Sequence, residues 1–506
     1  MAAIVNTSTL IGLEAHPIYV EADISPGLGN ILIVGLPDAA VQEARERVRS
    51  AIKNSGLPFP RIRITLNLAP GDVRKTGTCF DVPIAIAILI ASGEILKESV
   101  KNCYLIGELA LDGHVRGVSG VLSMALLAKQ QGMKEIIIPK ANKEEAVLVS
   151  GINIRTIEHL NELTDYLQGK IQLPIEQHQP MVQNTYENRK HVEMSEIRGQ
   201  EQAKRAIEIA AAGGHNILLN GPPGSGKTLL AKSMASILPT LTHEESLEIT
   251  RIHSVAGNLP QQGFISIRPF RSPHHSASSI ALVGGGSTPR PGEISLAHRG
   301  ILFLDELPEF PRTVLEHLRQ PLEERNISVS RAQGTFLFPA SFLLIAAMNP
   351  CPCGYKTDPD RECTCTPIQL QRYHKRLSGP LLDRIDLSIE VPKVPTKTIF
   401  EYTSTESSEI IRQRVQQARN RQLERYRDKS ILMNSEASNQ IIRQHIELNL
   451  ESKKLVKQAI DHFKLSARAY FRVLKVARTI ADLENCEVVS ENHISEALQY
   501  RQLHEK

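Results

Sequence analysis

Tryptophan is absent, and only 12 Phe and 10 Tyr are spread over 506 residues. That leaves little material for large aromatic binding surfaces. Long apolar runs are missing as well. The longest, residues 82–91, is broken at Pro83 and falls far short of the ~20 residues that a membrane span needs. The first residues have no basic segment followed by an apolar stretch, so they do not read as a secretory signal. Neither sign of charge dominates. Fifty-nine Lys and Arg against 55 Asp and Glu leave +4, too little to name a polyanionic partner from net charge. Cysteine is sparse, with seven residues. The reading is a cytoplasmic chain whose thiols are reduced, with no membrane contact.

What is present is ordinary for a folded chain: 41% hydrophobic and 23% charged residues. The length suggests about three domains. Residues 1–170 alternate apolar runs at 31–34, 61–68, 103–106 and 135–138 with helical patterns at 39–54 and 80–92, which predicts an α/β domain. Residues 171–193 are polar and aperiodic and read as a linker. From 194 to 395 helices and strands alternate again. The strands ending near Asn220, Leu304 and Asn349 are almost wholly apolar, as in a parallel sheet covered on both faces. Residues 396–506 read as all helical, with helices at 406–429, 435–448, 451–463, 467–483 and 490–501.

The strongest motif is GPPGSGKT, formed by Gly221, Pro222, Pro223, Gly224, Ser225, Gly226, Lys227 and Thr228. It follows an apolar strand and opens a helix, the context a phosphate-binding loop requires. The glycines turn backbone N–H groups inward, Lys227 offers charge to the β- and γ-phosphates, and the Thr228 hydroxyl can ligate Mg²⁺. A second apolar strand ends in Asp305-Glu306. Asp305 there can hold Mg²⁺ and Glu306 can polarise the attacking water. A third ends in Asn349, placed to orient that water. The substrate implied is ATP.

These motifs, with SGPLLDRIDL at 378–387, resemble an AAA+ ATPase. The block RPFRSPHHSASSIALVGGGSTPRPGEISLAHRGILFLDELPEF at 268–310 and SARAYFRVLKVARTIADL at 466–483 resemble the magnesium-chelatase-like ComM/YifB family over essentially the whole chain. The resemblance implies an AAA+ core with a parallel sheet, an all-α lid and a hexameric ring. It also implies a helicase that promotes branch migration in natural transformation, acting on single-stranded and branched DNA alongside recombination proteins. The alternative is a magnesium-chelatase-type motor that remodels a protein partner. Arg384 resembles an arginine finger acting on a neighbouring subunit; the plainer reading is a helix-surface arginine. Arg468 resembles the second sensor, with Arg472 one turn on as the fallback.

Residues 1–170 resemble the Lon-protease fold. Cys79 stands where that family has its serine, and Leu122 where it has its lysine. A nucleophile without its base is a poor catalyst, so Cys79 reads as a small buried residue and the domain as non-proteolytic.

Cys351, Cys353, Cys363 and Cys365 form two close pairs, as in a structural Zn²⁺ site, although C-x-C is tighter than the usual spacing. Incidental or redox-active cysteine is the alternative. Residues 324–332 are β-prone and end at Arg331, where related helicases carry a pore hairpin. Arg331 would meet the DNA backbone there; an exposed hairpin arginine is the alternative. Arg268, Arg271, His274 and His275 form a second basic cluster, read as structural or facing DNA. The arginines on one face of the helix at 406–429 read by default as solvated.

Overall fold

Residues 3–178, 192–395 and 406–501 are described by a computed structural model, apart from 261, 287, 288, 332, 333, 428, 430 and 464. Residues 179–191 of the expected linker and the stretch 396–405 lie outside the described residues.

The first element pair is a long antiparallel ribbon, β1 (Ala3–Ile11) and β2 (Glu14–Ser25), turned by Gly12 and Leu13. It continues into β3 (Ile31–Val34), α1 (Ala39–Asn54), β4 (Arg63–Ala69), α2 (Asp81–Ala91), β5 (Cys103–Leu105), α3 (Val121–Gln130), β6 (Glu135–Pro139) and β7 (Asn153–Ile157). The strands form one mixed sheet in the order β3-β4-β2-β1-β5-β6-β7. Helix α1 starts where Asp38 accepts the Val41 amide at 2.8 Å, and it buries Val41, Ala44, Val48, Ala51 and Ile52 on one face. Helix α2 is apolar nearly all round and is buried accordingly.

The second body starts with α4 (Glu201–Gly213), β8 (Ile217–Asn220), α5 (Lys227–Ile237) and α6 (His243–Ala256). It adds β9 (Phe270–Arg271), β10 (Ile301–Leu304), a hairpin of β11 (Asn326–Arg331) and β12 (Gly334–Pro339), then β13 (Leu343–Met348) and β14 (Leu387–Glu390). Strands β9-β10-β13-β8-β14 form an all-parallel sheet. Every residue of β8, β10 and β13 is buried, as a sheet covered on both faces demands.

Helices complete the chain: α7 (Ser408–Arg425), α8 (Asn439–His445), α9 (Leu450–Phe463), α10 (Ala467–Leu483) and α11 (Glu491–Gln499). The arginines of α7 are not a solvated face. Arg414 pairs with Glu208 of α4 at 2.7 Å, Arg419 donates to the Ala211 carbonyl at 2.9 Å, and Arg421 donates to the Asp482 carbonyl at 2.8 Å. Arg425 pairs with the Asp482 carboxylate. The correction has a simple cause: α7 is packed between α4 and α10, so its cations become struts.

The β1–β2 turn docks the first body onto the second. The Leu13 carbonyl accepts from Arg251 of α6 at 2.9 Å, and Arg251 also reaches Ser123 of α3 at 3.0 Å. Leu13 shares an apolar cluster with Phe336 and Phe338 of the hairpin. No helix among the described residues is long and apolar enough to cross a membrane.

Candidate nucleotide site

Strand β8 delivers the chain into the glycine-rich loop at the carboxyl end of the parallel sheet. Gly224 and Gly226 have φ of +76° and +91°, and a Cβ on either would meet nothing within 4 Å. They are needed for backbone conformation rather than for space. Lys227 is buried at the start of α5. Its Nζ donates to the carbonyls of Gly221 at 2.7 Å and Pro222 at 2.9 Å and to Asn349 Oδ1 at 3.2 Å. Burial lowers its pKa, with the Asp305 charge opposing. A cation held by neutral acceptors is poised for an anion.

The Thr228 hydroxyl donates to Asp305 Oδ2 at 2.9 Å. A hydroxyl and a carboxylate side by side are hard oxygen donors, which suits Mg²⁺. Glu306 has φ +51°, a strained value for a non-glycine residue, and its amide donates to Asp305 Oδ1 at 2.9 Å. Its carboxylate lies 3.4 Å from Nδ1 of His275. The His275 ring stacks on His274 with centroids 4.0 Å apart and meets Phe310 edge-on. Sequence reasoning had no means of pairing His275 with Glu306, because the partners are 31 positions apart and adjacent histidines carry no spacing signal.

Asn349 follows β13, and the cysteine loop follows Asn349 directly. The sulfurs of Cys351 and Cys353 are 3.3 Å apart, those of Cys353 and Cys363 3.6 Å, and those of Cys363 and Cys351 3.7 Å. A tetrahedral Zn²⁺ site with 2.3 Å bonds has sulfur–sulfur edges of about 3.8 Å. Cys365 completes the group, and its sulfur accepts the Cys353 amide at 3.4 Å. The Tyr355 amide, with help from the Cys351 and Cys365 thiols, pulls Cys353 down to about 6. The donor set and its geometry fit zinc. Gly354 of this loop lies against the phosphate loop: a Cβ there would be 2.7 Å from Pro223 Cδ.

Arg384 and Arg468 do not reach this site. Arg384 precedes β14, and its carbonyl accepts from Asn216, the residue before β8, at 3.0 Å. That is the amino-terminal end of the strands, opposite the phosphate loop. Arg384 pairs there with Glu323, and Arg468 lies 3.9 Å from the same carboxylate. Arg468 is therefore not a sensor of its own chain's phosphate. Arg472 is 3.6 Å from buried Asp386 and is likewise remote from the loop.

In the basic cluster at 268–275 both arginines are held by acceptors of the chain itself, as the structural one of its two readings has it. Arg268 donates to the carbonyls of Pro239 and Arg299, each at 2.7 Å, and to Glu245 at 2.9 Å, leaving little for DNA. Arg271 is held by Glu293 through two bonds of 2.6 Å. Arg331 is exposed at the end of β11, where it faces Gly334 across the hairpin, with a guanidinium nitrogen 2.8 Å from where a Cβ on Gly285 would lie. The turn residues 332 and 333 lie outside the described residues.

Cys79 lines a cavity of about 690 Å³ between the two bodies. Burial, reinforced by Asp81, pushes its thiol up to about 12. Leu122 is fully buried, and no lysine lines that cavity among the described residues.

Residues 193–399 match the family described as "Magnesium chelatase, subunit ChlI", residues 20–142 match "Subunit ChlI of Mg-chelatase", and residues 405–501 match its C-terminal region. A protein called YifB from Escherichia coli K12 is 46% identical over 99% of this chain and 97% of its own length. Competence protein ComM of Haemophilus influenzae is 44% identical over 99% of this chain and 97% of its own. Lon protease 2 of Thermus thermophilus is 28% identical over 159 residues, 29% of this chain and 20% of the protease.

Proposed function

From the premise that this chain belongs to the magnesium-chelatase-like ComM/YifB family, we propose that it is an ATP-driven DNA motor. In this reading six copies form a ring that moves branched recombination intermediates, as in natural transformation. Lys227 meets the β- and γ-phosphates. Thr228 and Asp305 hold Mg²⁺, which when bound neutralises phosphate charge. Glu306 accepts the proton of the attacking water, and Asn349 orients that water. Arg384 and Arg468 act on the nucleotide of the neighbouring copy, and Arg331 meets the DNA backbone. Zinc on Cys351, Cys353, Cys363 and Cys365 secures the loop beyond Asn349. Residues 1–170 form a Lon-like, non-proteolytic domain, residues 194–395 the ATPase core, and residues 396–506 the lid.

The observation that carries the reading is the division of the site. Lys227, Thr228, Asp305, Glu306 and Asn349 lie at the carboxyl end of the sheet, while Arg384 and Arg468 converge on Glu323 at the opposite end. Such a site is complete only when a second copy supplies its arginines, and repetition of that contact closes a ring. The test is strand displacement on forked and four-way DNA with ATP, with Lys227→Ala and Glu306→Gln as controls. Unwinding by the native chain and not by either variant supports the reading. ATP hydrolysis that DNA leaves unchanged, with no displacement, overturns it and leaves the protein-remodelling motor.

A further inference from the structure

A charged cleft lies in the first body, apart from the phosphate loop. It opens at the end of the first sheet, between α1 and β4, with a volume of about 830 Å³. Arg45, Arg49 and Lys53 enter it from α1 at four-residue spacing, so they stand on one helical face. Arg61 enters from the loop before β4, and Glu46 is the sole acid in the lining. Arg63, at the first position of β4, is exposed beside them. Phe59 forms part of the wall. The Arg49 guanidinium lies 5.9 Å and the Lys53 ammonium 6.0 Å from its ring centroid.

Two features separate this cleft from an ordinary solvated surface. Several arginines elsewhere are neutralised by a carboxylate: Arg47, also on α1, is held by Asp81, Arg414 by Glu208 and Arg425 by Asp482. Arg49, Lys53, Arg61 and Arg63 have no acidic partner among the described residues. Phe59, moreover, orders two of these cations without neutralising them, which lowers the entropic cost of presenting them together. The cleft thus offers several cations held close together, as binding to a phosphodiester backbone requires.

We infer that this cleft is a second nucleic-acid site, one that grips the phosphate backbone without regard to sequence. Its position gives it a distinct job. Ser25, at the far end of β2, is paired with Arg63, whereas Glu14 at the near end adjoins the turn docked on the motor. Twelve residues of strand put the cleft roughly 36 Å from that turn. The site therefore holds DNA outside the path past the hairpin. The inference rests on the DNA reading of the motor.

Fluorescence anisotropy of the full chain with a labelled single strand, over a salt series, tests it. Removing three cations in Arg49→Ala/Lys53→Ala/Arg61→Ala should flatten the slope of log K against log salt by about 2 and weaken binding about 50-fold at 0.15 M salt. All three side chains reach into solvent, so the far-UV spectrum and melting temperature should stay those of the native chain. Arg49→Lys/Arg61→Lys should keep the native slope. An unchanged slope in the triple variant, with a native chain that binds DNA, overturns this site alone. A native chain that binds no DNA at any salt overturns the motor reading as well. Loss of binding to phosphatidylserine vesicles with DNA binding intact would assign the cleft to membranes and also overturn the inference.

Discussion

Gly354→Ala should slow ATP hydrolysis without touching a nucleotide ligand. Gly354 has φ +86°, which an L side chain adopts at a cost of about 1–2 kcal/mol. The added methyl would lie 2.7 Å from Cδ and 2.8 Å from Cγ of Pro223, where ordinary contact begins at 3.4 Å. The surfaces must therefore separate by about 0.7 Å. Neither yields easily. Pro223 is a rigid ring inside the phosphate loop, and the Gly354 amide is tied to the Cys351 carbonyl at 3.0 Å in the cysteine loop. A displacement of that size next to the reacting phosphates should lower kcat/KM about 10- to 100-fold. The assay is steady-state hydrolysis with zinc content measured on the same sample. Pro223→Ala removes the two clashing atoms, so Gly354→Ala should cost far less in that background. Native kcat/KM in zinc-loaded Gly354→Ala, or strictly additive effects in the double variant, would refute the argument.

Elemental analysis should find about one zinc per chain, falling sharply in Cys363→Ser, since three thiolates cannot close the site. Metal-free protein with four freely alkylated thiols would refute that. Arg331→Ala should flatten the salt slope of DNA binding by about 0.7 and reduce unwinding much more than DNA-independent hydrolysis. Equal losses would mean that Arg331 supports the fold. Cys79, with its thiol near 12, stays protonated at pH 8. Iodoacetamide should then leave it unmodified in the native chain and label it after denaturation; rapid native labelling would contradict the buried assignment.

The motifs were legible because they are local. The phosphate loop, the Asp305-Glu306 strand end and the cysteine pairs each fit within about 15 residues, and local geometry follows local spacing. Helix α1 is found at 39–54, where its periodicity predicts it. Strands β1 and β2 were not recognised. Thr7, Ser8 and Thr9 are polar yet fully buried in β1, which erases the apolar alternation. Pro17 sits inside β2, where proline usually argues against a strand. Strand β14 is four residues long and half polar, so it lacks the apolar run that marks the equally short β3. What failed most was the reading of cations. An arginine's sequence neighbours do not reveal whether a carboxylate such as Glu293 or Asp482 waits on another element, so Arg271 was left between two readings and the α7 face was misassigned. The free cations of α1 were passed over for the same reason.

The seating of Leu13 against the hairpin and Arg251 would let the first body act as a lever. Its pivot is the β1–β2 turn, and its far end is the basic cleft roughly 36 Å away, so a 10° tilt at the pivot sweeps that end through about 6 Å. Each strand of a duplex advances about 3.4 Å along the helix axis per phosphate, so such a sweep spans nearly two base-pair steps. A small rearrangement beside the hairpin would be passed on through the cluster that Leu13 shares with Phe336 and Phe338, and would be widest at the cleft.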